Sequence, residues 1–281
     1  MSSSRPAADP VVGKRLSEKS FVVSDTTLND YYSGLNLQPR SSGEVPSTIA
    51  SGPDNGYFAE IAFPNHMGHL WMRQGWECFG RLQIGERYRV SGVIREIYER
   101  RDRSVVNYEV VLHDAGGQMV LRTNHHQSFL NEQPSGGEVT FRDPGKKPGA
   151  RKFVIPPGDR FGGLQATITL EMCGHFFHGD ANYHTDPDSS RELGFTEVVV
   201  GGRMTMAYVA HILEDRFGEA WWQTGKLDLK FTNPVWANDL VTAHGVETGV
   251  LDEDPDRIGA FVWLSKPDDT VVLIANASVR R

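Results

Sequence analysis

The residues best suited to chemistry lie in one stretch, CGHFFHGDANYHTDPDSSRELGFTEVVVGGRMTM, from Cys173 to Met206. Asp180 and His184 are four residues apart, so on a single helical turn they share a face and can hold one water or one substrate proton between them. Asn182 offers an amide between the two. Gly201 and Gly202 leave the start of the next helix bare, where free backbone N–H groups and the helix dipole can receive developing negative charge. Arg203, beside them, can pair with a substrate carboxylate. The pattern is that of an acid/base pair next to an oxyanion site. Plainer readings stand beside it: Asp180 as a helix N-cap, His184 as a histidine bonded to a backbone carbonyl, and the two glycines as a point of close packing. His175, His178 and His184 form H-x-x-H-x-D-x-x-x-H, which matches no tight metal-ligand spacing.

These residues precede the best helix pattern in the chain. GGRMTMAYVAHILEDRFG, from Gly201, predicts about four turns with Met204, Tyr208, Val209, Ile212 and Leu213 near one face and Gly218 just past the end. Four strand patterns follow: KLDLKFTNPVW, LVTAHGVETGV, RIGAFVWLS and TVVLIANASV. The first half reads the same way. Pro64 followed by NHMGHLWMRQGW predicts a helix, with Met67, Leu70 and Trp71 at helical spacing. RYRVSGVIREIYER, SVVNYEVVLHD and QMVLRTNHHQSFL predict long strands after it. One helix followed by long antiparallel strands, occurring twice, implies an α+β chain in which a sheet wraps a central helix in each half. Pairing the two units covers the sheet edges that each would leave open.

Between Asn131 and Gly163 five prolines and seven glycines make the strongest compositional break. The expected division is a mobile tail over 1–20, a first domain over 21–130, a linker over 131–163 and a second domain over 164–281. Lys146, Lys147, Arg151 and Lys152 in the linker read as a solvated run or as contacts to the phosphates of a ligand. His125 and His126 alternate along a strand and read as surface and interface residues. Trp221 and Trp222 read as packing anchors.

Composition excludes several classes. With 281 residues, 39% hydrophobic and 23% charged, the chain is globular. Its 29 basic against 36 acidic residues, net charge −7, argue against a protein that follows nucleic-acid phosphates over its surface. No apolar run approaches the roughly 18 residues of a membrane span. The opening residues lack the apolar core of a secretory leader, and the two cysteines, Cys78 and Cys173, belong to no C-x-x-C pair. A cytoplasmic protein is expected.

At GDANYHTD, SSRELGF and GFTEVVVGGRM the sequence resembles the MaoC-like hot-dog family of (R)-specific enoyl-CoA hydratases and 3-hydroxyacyl thioester dehydratases, whose segment reads G-D-x-N-P-x-H. KFTNPVWANDLVTAHG and the C-terminal FVWLSKPDDTVVLIANASV extend the likeness over most of 164–281. RLQIGERYRVSGVIREIYERRDRSVVNYEVVLHDAGGQMVLR resembles the degenerate first domain of double hot-dog members. Three departures are visible: the Asp-to-His separation is four where the family has five, the family proline is absent, and Gly201 stands where the family has His or Gln.

The resemblance implies a double hot-dog fold and a carbon–oxygen lyase. Asp180 and His184 would add water to, or remove it from, an enoyl thioester, with Asn182 orienting them. The Gly202 amide, with or without that of Arg203, would polarise the carbonyl, and Gly201 and Arg203 would line the substrate site. The substrate handle would be coenzyme A or acyl-carrier protein, with no metal or redox cofactor, no nucleic acid, no membrane, and a homodimer or higher homo-oligomer as the assembly. A hot-dog acyl thioesterase and a catalytically silent thioester-binding subunit are the rival readings. The first half has no histidine over 35–64, so one site per chain is expected, with no acid/base pair in that half.

Overall fold

The structure, a computed structural model, describes residues 9–40, 43–133, 136–139, 154–179 and 181–281. Each half runs strand, helical segment, four strands. The first has β1 (Lys19–Val22), α1 (Asp25–Leu35), a 3-10 turn (Ser47–Ala50), α2 (Ser51–Asn55), α3 (Phe58–Ile61), β2 (Leu70–Cys78), β3 (Arg87–Arg100), β4 (Arg103–His113) and β5 (Met119–Leu130). The second has β6 (Asp159–Thr167), α4 (Leu170–Phe176), α5 (Pro187–Glu192), α6 (Gly202–Phe217), α7 (Glu219–Thr224), β7 (Lys226–Phe231), β8 (Leu240–Val250), β9 (Arg257–Ser265) and β10 (Val271–Arg280).

The strands form one sheet in the order β1-β3-β4-β5-β2-β7-β10-β9-β8-β6. Both halves therefore use the same internal order and join edge to edge, with Arg73–Glu77 of β2 antiparallel to Lys226–Lys230 of β7. The expected wrapping of a helix is clearest around α6, where every residue from Met204 to Ala210 is buried. A helix covered on all sides carries no polar stripe, which is why its sequence reads apolar nearly all round.

The helix expected from Pro64 is not there. Residues 62–69 are loop and turn, and Leu70–Cys78 is the inner strand β2. Gly68, at φ 61°, breaks the local pattern, and Trp76 and Cys78 alternate inward as a strand requires. The helical content of the first half lies earlier, in α1 and the short pieces over 47–61, where Pro53 and the glycines at 52 and 56 prevent a long helix. Nor are all of residues 9–20 a tail: Leu16 is buried, its N–H donates to the Gly92 carbonyl, and β1 begins at Lys19. β6 likewise begins inside the expected linker, at Asp159, while the four basic linker residues lie outside the described residues.

The halves also interlock through their helices. α1 crosses α4 so closely that a Cβ on Gly34 would stand 2.5 Å from that of Phe176. Glu214, buried in α6, accepts the backbone N–H and hydroxyl of Ser47 (both 2.7 Å) and pairs with Arg40 at 3.1 Å. Burial raises the Glu214 carboxyl above its usual range, against the pull of Ser47 and Arg40. Trp221 and Trp222 donate to the Ser47 hydroxyl and the Val45 carbonyl, so they are the anchors expected of them. The cysteines are both free and buried. Among the described residues no helix is long and apolar enough to cross a membrane.

Glu214 thus ties α6 to the first half. Glu214→Ala should destabilise the protein by about 3 kcal/mol in urea denaturation, because it strands the Ser47 N–H and Arg40, and Glu214→Gln should cost less. A change within about 0.5 kcal/mol in the alanine variant, the range of ordinary surface substitutions, would show that the bridge does not join the halves.

Candidate active site

A tight turn presents His184. The Asn182 side-chain oxygen accepts the His184 N–H at 2.8 Å, and the Asn182 carbonyl accepts the N–H groups of Thr185 and Asp186 at 2.9 and 2.8 Å. Asp186 then caps α5 through the Ser189 N–H (2.7 Å), with Pro187 in the first turn. The backbone on either side of His184 is fixed, and so is its ring. Nδ1 lies 2.7 Å from the Val199 carbonyl, to which it donates, and the ring stacks on Phe177 at 4.8 Å. With Nδ1 carrying the hydrogen, Nε2 keeps its lone pair. Burial pushes the His184 pKa down to about 3, and the fields of His69 and Arg203 act in the same direction against the Val199 bond. The imidazole is a neutral base at ordinary pH.

The start of α6 lies on the same cleft. The helices α1, α4 and α5 are capped by the side chains of Ser24, Thr169 and Asp186, whereas the N-cap of α6 is Gly201, with no side-chain cap. The first amides of a helix have no acceptor inside it, and those of Gly202 and Arg203 receive no side-chain cap from Gly201. Both glycines also permit close approach. A Cβ on Gly201 would stand 2.4 Å from Phe177 Cζ, and one on Gly202 would stand 2.6 Å from Trp71 Cε3. The pair thus makes the close packing that is one reading of it.

The cleft, about 1840 Å³, lies between the halves. Trp71, Phe58 and Gln127 of the first half line it together with His184, Gly202 and Phe231 of the second. It is larger than a typical small-molecule pocket.

Of the expected site residues, Asn182, His184, Gly201, Gly202 and Arg203 all line this cleft. Asp180 lies outside the described residues. Asn182 acts on His184 through the backbone. His175 and His178 do not join it: His175 is near Glu171 on the exposed face of α4, and His178 bonds Asp30 at 2.6 Å. Among the described residues no three His, Cys, Asp or Glu side chains converge as a metal site.

Two features were not visible in the sequence. His69, from the segment expected to be helical, places Nε2 3.1 Å from the Tyr183 hydroxyl, joining the first half to the residue beside His184. Its pKa is pushed down to about 4, by burial first. The second is a buried Asp54 and His125 pair, with Nδ1 3.1 Å from the carboxylate, Thr123 on the other carboxylate oxygen, and Gln127 3.1 Å from Nε2. The His125 ring is sandwiched between Trp71 at 4.5 Å and Tyr108 at 4.8 Å. This corrects two expectations: His125 is not a surface residue, and the first half does hold a carboxylate–histidine pair. Sealed by two aromatic rings, the pair supports the wall of the cleft through Gln127 and Trp71.

Two five-stranded halves with the same order, each carrying its helical segment after the first strand and fused through equivalent strands, define a double hot-dog fold. Residues 156–259 match the family model described as "MaoC like domain". Among solved structures, one named a MaoC-like dehydratase superposes with a TM-score of 0.75 at 14% identity, covering 96% of this chain and 98% of that one. The peroxisomal multifunctional enzyme type 2 of Drosophila melanogaster gives 0.69 at 16% identity, over 95% of this chain and 48% of the other. A Mycobacterium tuberculosis protein described as having a double hotdog fold gives 0.64 at 12%, over 96% of both. No curated protein matches the sequence at a significant level.

The depressed His184 pKa has a consequence for stability. The unfolded chain takes up a proton at its histidine near pH 6.5, whereas folded His184 resists protonation until about pH 3, so stability falls as pH drops through this window. One such proton corresponds to about 1.4 kcal/mol per pH unit. Urea titrations between pH 6 and 4 should therefore show a slope shallower by about that amount in His184→Gln than in the wild type. Equal slopes would mean that His184 protonates freely in the folded protein.

Proposed function

We propose that this protein is a hydratase or dehydratase that adds or removes water across the α,β double bond of an acyl thioester, carried on coenzyme A or an acyl-carrier protein. The observation that carries the reading is a neutral histidine whose Nε2 bonds no described residue, beside the glycine-lined start of a buried helix without a side-chain cap, in one cleft. The MaoC-like match supports it. In the hydration direction His184 Nε2 takes a proton from water while the water oxygen bonds the β-carbon. The electron pair of the double bond moves toward the thioester, whose carbonyl oxygen is met by the Gly202 amide and the positive end of α6. A proton returned to the α-carbon completes the net addition of H and OH. Asp180 would share this proton handling, and Asn182 would hold His184 in register. The reaction calls on no metal or redox group, because the thioester itself acidifies the α-carbon.

Arg100, Arg101 and Arg103 border the cleft and suit the phosphates of the handle. A homo-oligomer is the expected assembly. Loss of the enone absorbance of crotonyl-CoA would report hydration, and release of free thiol would instead identify a thioesterase. His184→Ala and Asp180→Asn should each lower turnover by roughly 10²- to 10⁴-fold, as for loss of a positioned acid/base group. Binding without turnover in the wild type, or full activity in both variants, would overturn the assignment.

A further inference from the structure

Arg203 is the second residue of α6 and lines the cleft beside His184. A cation is disfavoured in the first turn of a helix, where the dipole is already positive, and α6 has no acidic residue in that turn to offset it. Among the described residues no carboxylate lies within ion-pair distance of the guanidinium. The carboxylate whose field does reach it, Asp54, has its two oxygens committed to Thr123 and His125. Burial lowers the Arg203 pKa to about 10, so the group is held in a place that charges it unwillingly.

The side chain is nonetheless held firmly. Nε donates to the Ser51 hydroxyl at 3.1 Å, and the guanidinium lies over the rings of Phe176 and Phe177, at 5.1 and 5.5 Å from their centres. Gly52 makes room for it: a Cβ there would stand 3.1 Å from Nη2. With Nε tied to Ser51, the two terminal nitrogens remain. They bond no described residue and are not among the polar atoms sealed from solvent. A planar pair of N–H donors with the rest of the group immobilised is the fork that receives a carboxylate through two parallel bonds.

We propose that Arg203 is an anion receptor for the acyl part of the substrate, and that the preferred thioesters carry a carboxylate at the end of a short acyl chain. This rests on the enoyl-thioester reading of the same cleft. The bound carboxylate would supply the counter-charge that no described residue places within ion-pair distance of Arg203, and it would fix the chain so that its β-carbon faces His184. A neutral acyl tail of the same length would leave the cation uncompensated and would displace its water.

The test compares glutaconyl-CoA, which is crotonyl-CoA extended by a carboxylate, with the neutral hex-2-enoyl-CoA of similar length. The wild type should favour glutaconyl-CoA in kcat/KM by roughly 10- to 100-fold, the range of a buried charge-assisted hydrogen bond. Arg203→Gln should collapse that ratio toward one, mainly through KM for glutaconyl-CoA, and Arg203→Lys should restore part of it. Binding of the inert thioesters glutaryl-CoA and hexanoyl-CoA, followed by calorimetry, should show the same preference without turnover. If neither enoyl thioester is hydrated yet glutaryl-CoA still binds better through Arg203, the hydratase reading fails and the receptor stands. If the wild type binds and hydrates the neutral thioester as well or better, the receptor is wrong and the hydratase reading is untouched. An unaltered ratio in Arg203→Gln would also overturn it, and should that variant not fold, the wild-type preference decides alone.

Discussion

Everything in this molecule depends on a short edge-to-edge pairing, Arg73–Glu77 against Lys226–Lys230. Two sheets that would each expose an inner edge satisfy each other's main-chain groups there. The register also sets what lies above it. Trp71, just before the paired stretch, comes to rest on Gly202 and against Phe231, at 4.9 Å between ring centres. His69, two residues earlier, reaches Tyr183. The cleft is thus the gap the junction leaves between the helical layers of the two halves. Neither half makes it alone.

The same junction explains why the halves have diverged in kind. The second half keeps one long helix, fully wrapped, whose bare start faces the cleft. The first half breaks its helical segment into short pieces, and α2 and α3 contribute Asn55 and Phe58 to the cleft wall. Asp54 of α2 is held in place by Thr123 and His125 of β5. A buried carboxylate of this sort is tolerable only when both oxygens are occupied, and here they are. The pair stiffens the wall behind Trp71.

Much of this was legible in the sequence, and for identifiable reasons. The strand ranges of β3 and β9 follow directly from their alternating apolar residues, and the repeated architecture follows from element order. α6 is legible because its apolar run ends at Gly218. The segment after Pro64 misleads because Met67, Leu70 and Trp71 satisfy a helical period, while Trp76 and Cys78 satisfy a strand period. The second pattern prevails because β5 and β7 flank it on both sides, a fact of tertiary pairing that no local window contains. His184, Asn182, Gly202 and Arg203 could be read from their own neighbourhood. His69 and Asp54 could not, since their partners lie 114 and 71 residues away.

Fusing the two inner edges leaves β1 and β6 as the only ends, among the described strands, of the ten-stranded sheet. Both are poor templates for further strand addition. β1 is four residues long. β6 shifts register between Gly162 and Leu164, where Gly162 and Gly163 have φ of 90° and 92°, so its outer line of N–H and C=O groups is broken midway. An extended chain approaching from either side meets no long, flat edge to copy. Joining the two halves within one chain therefore leaves only a short edge and a kinked edge as templates for open-ended fibrillar growth.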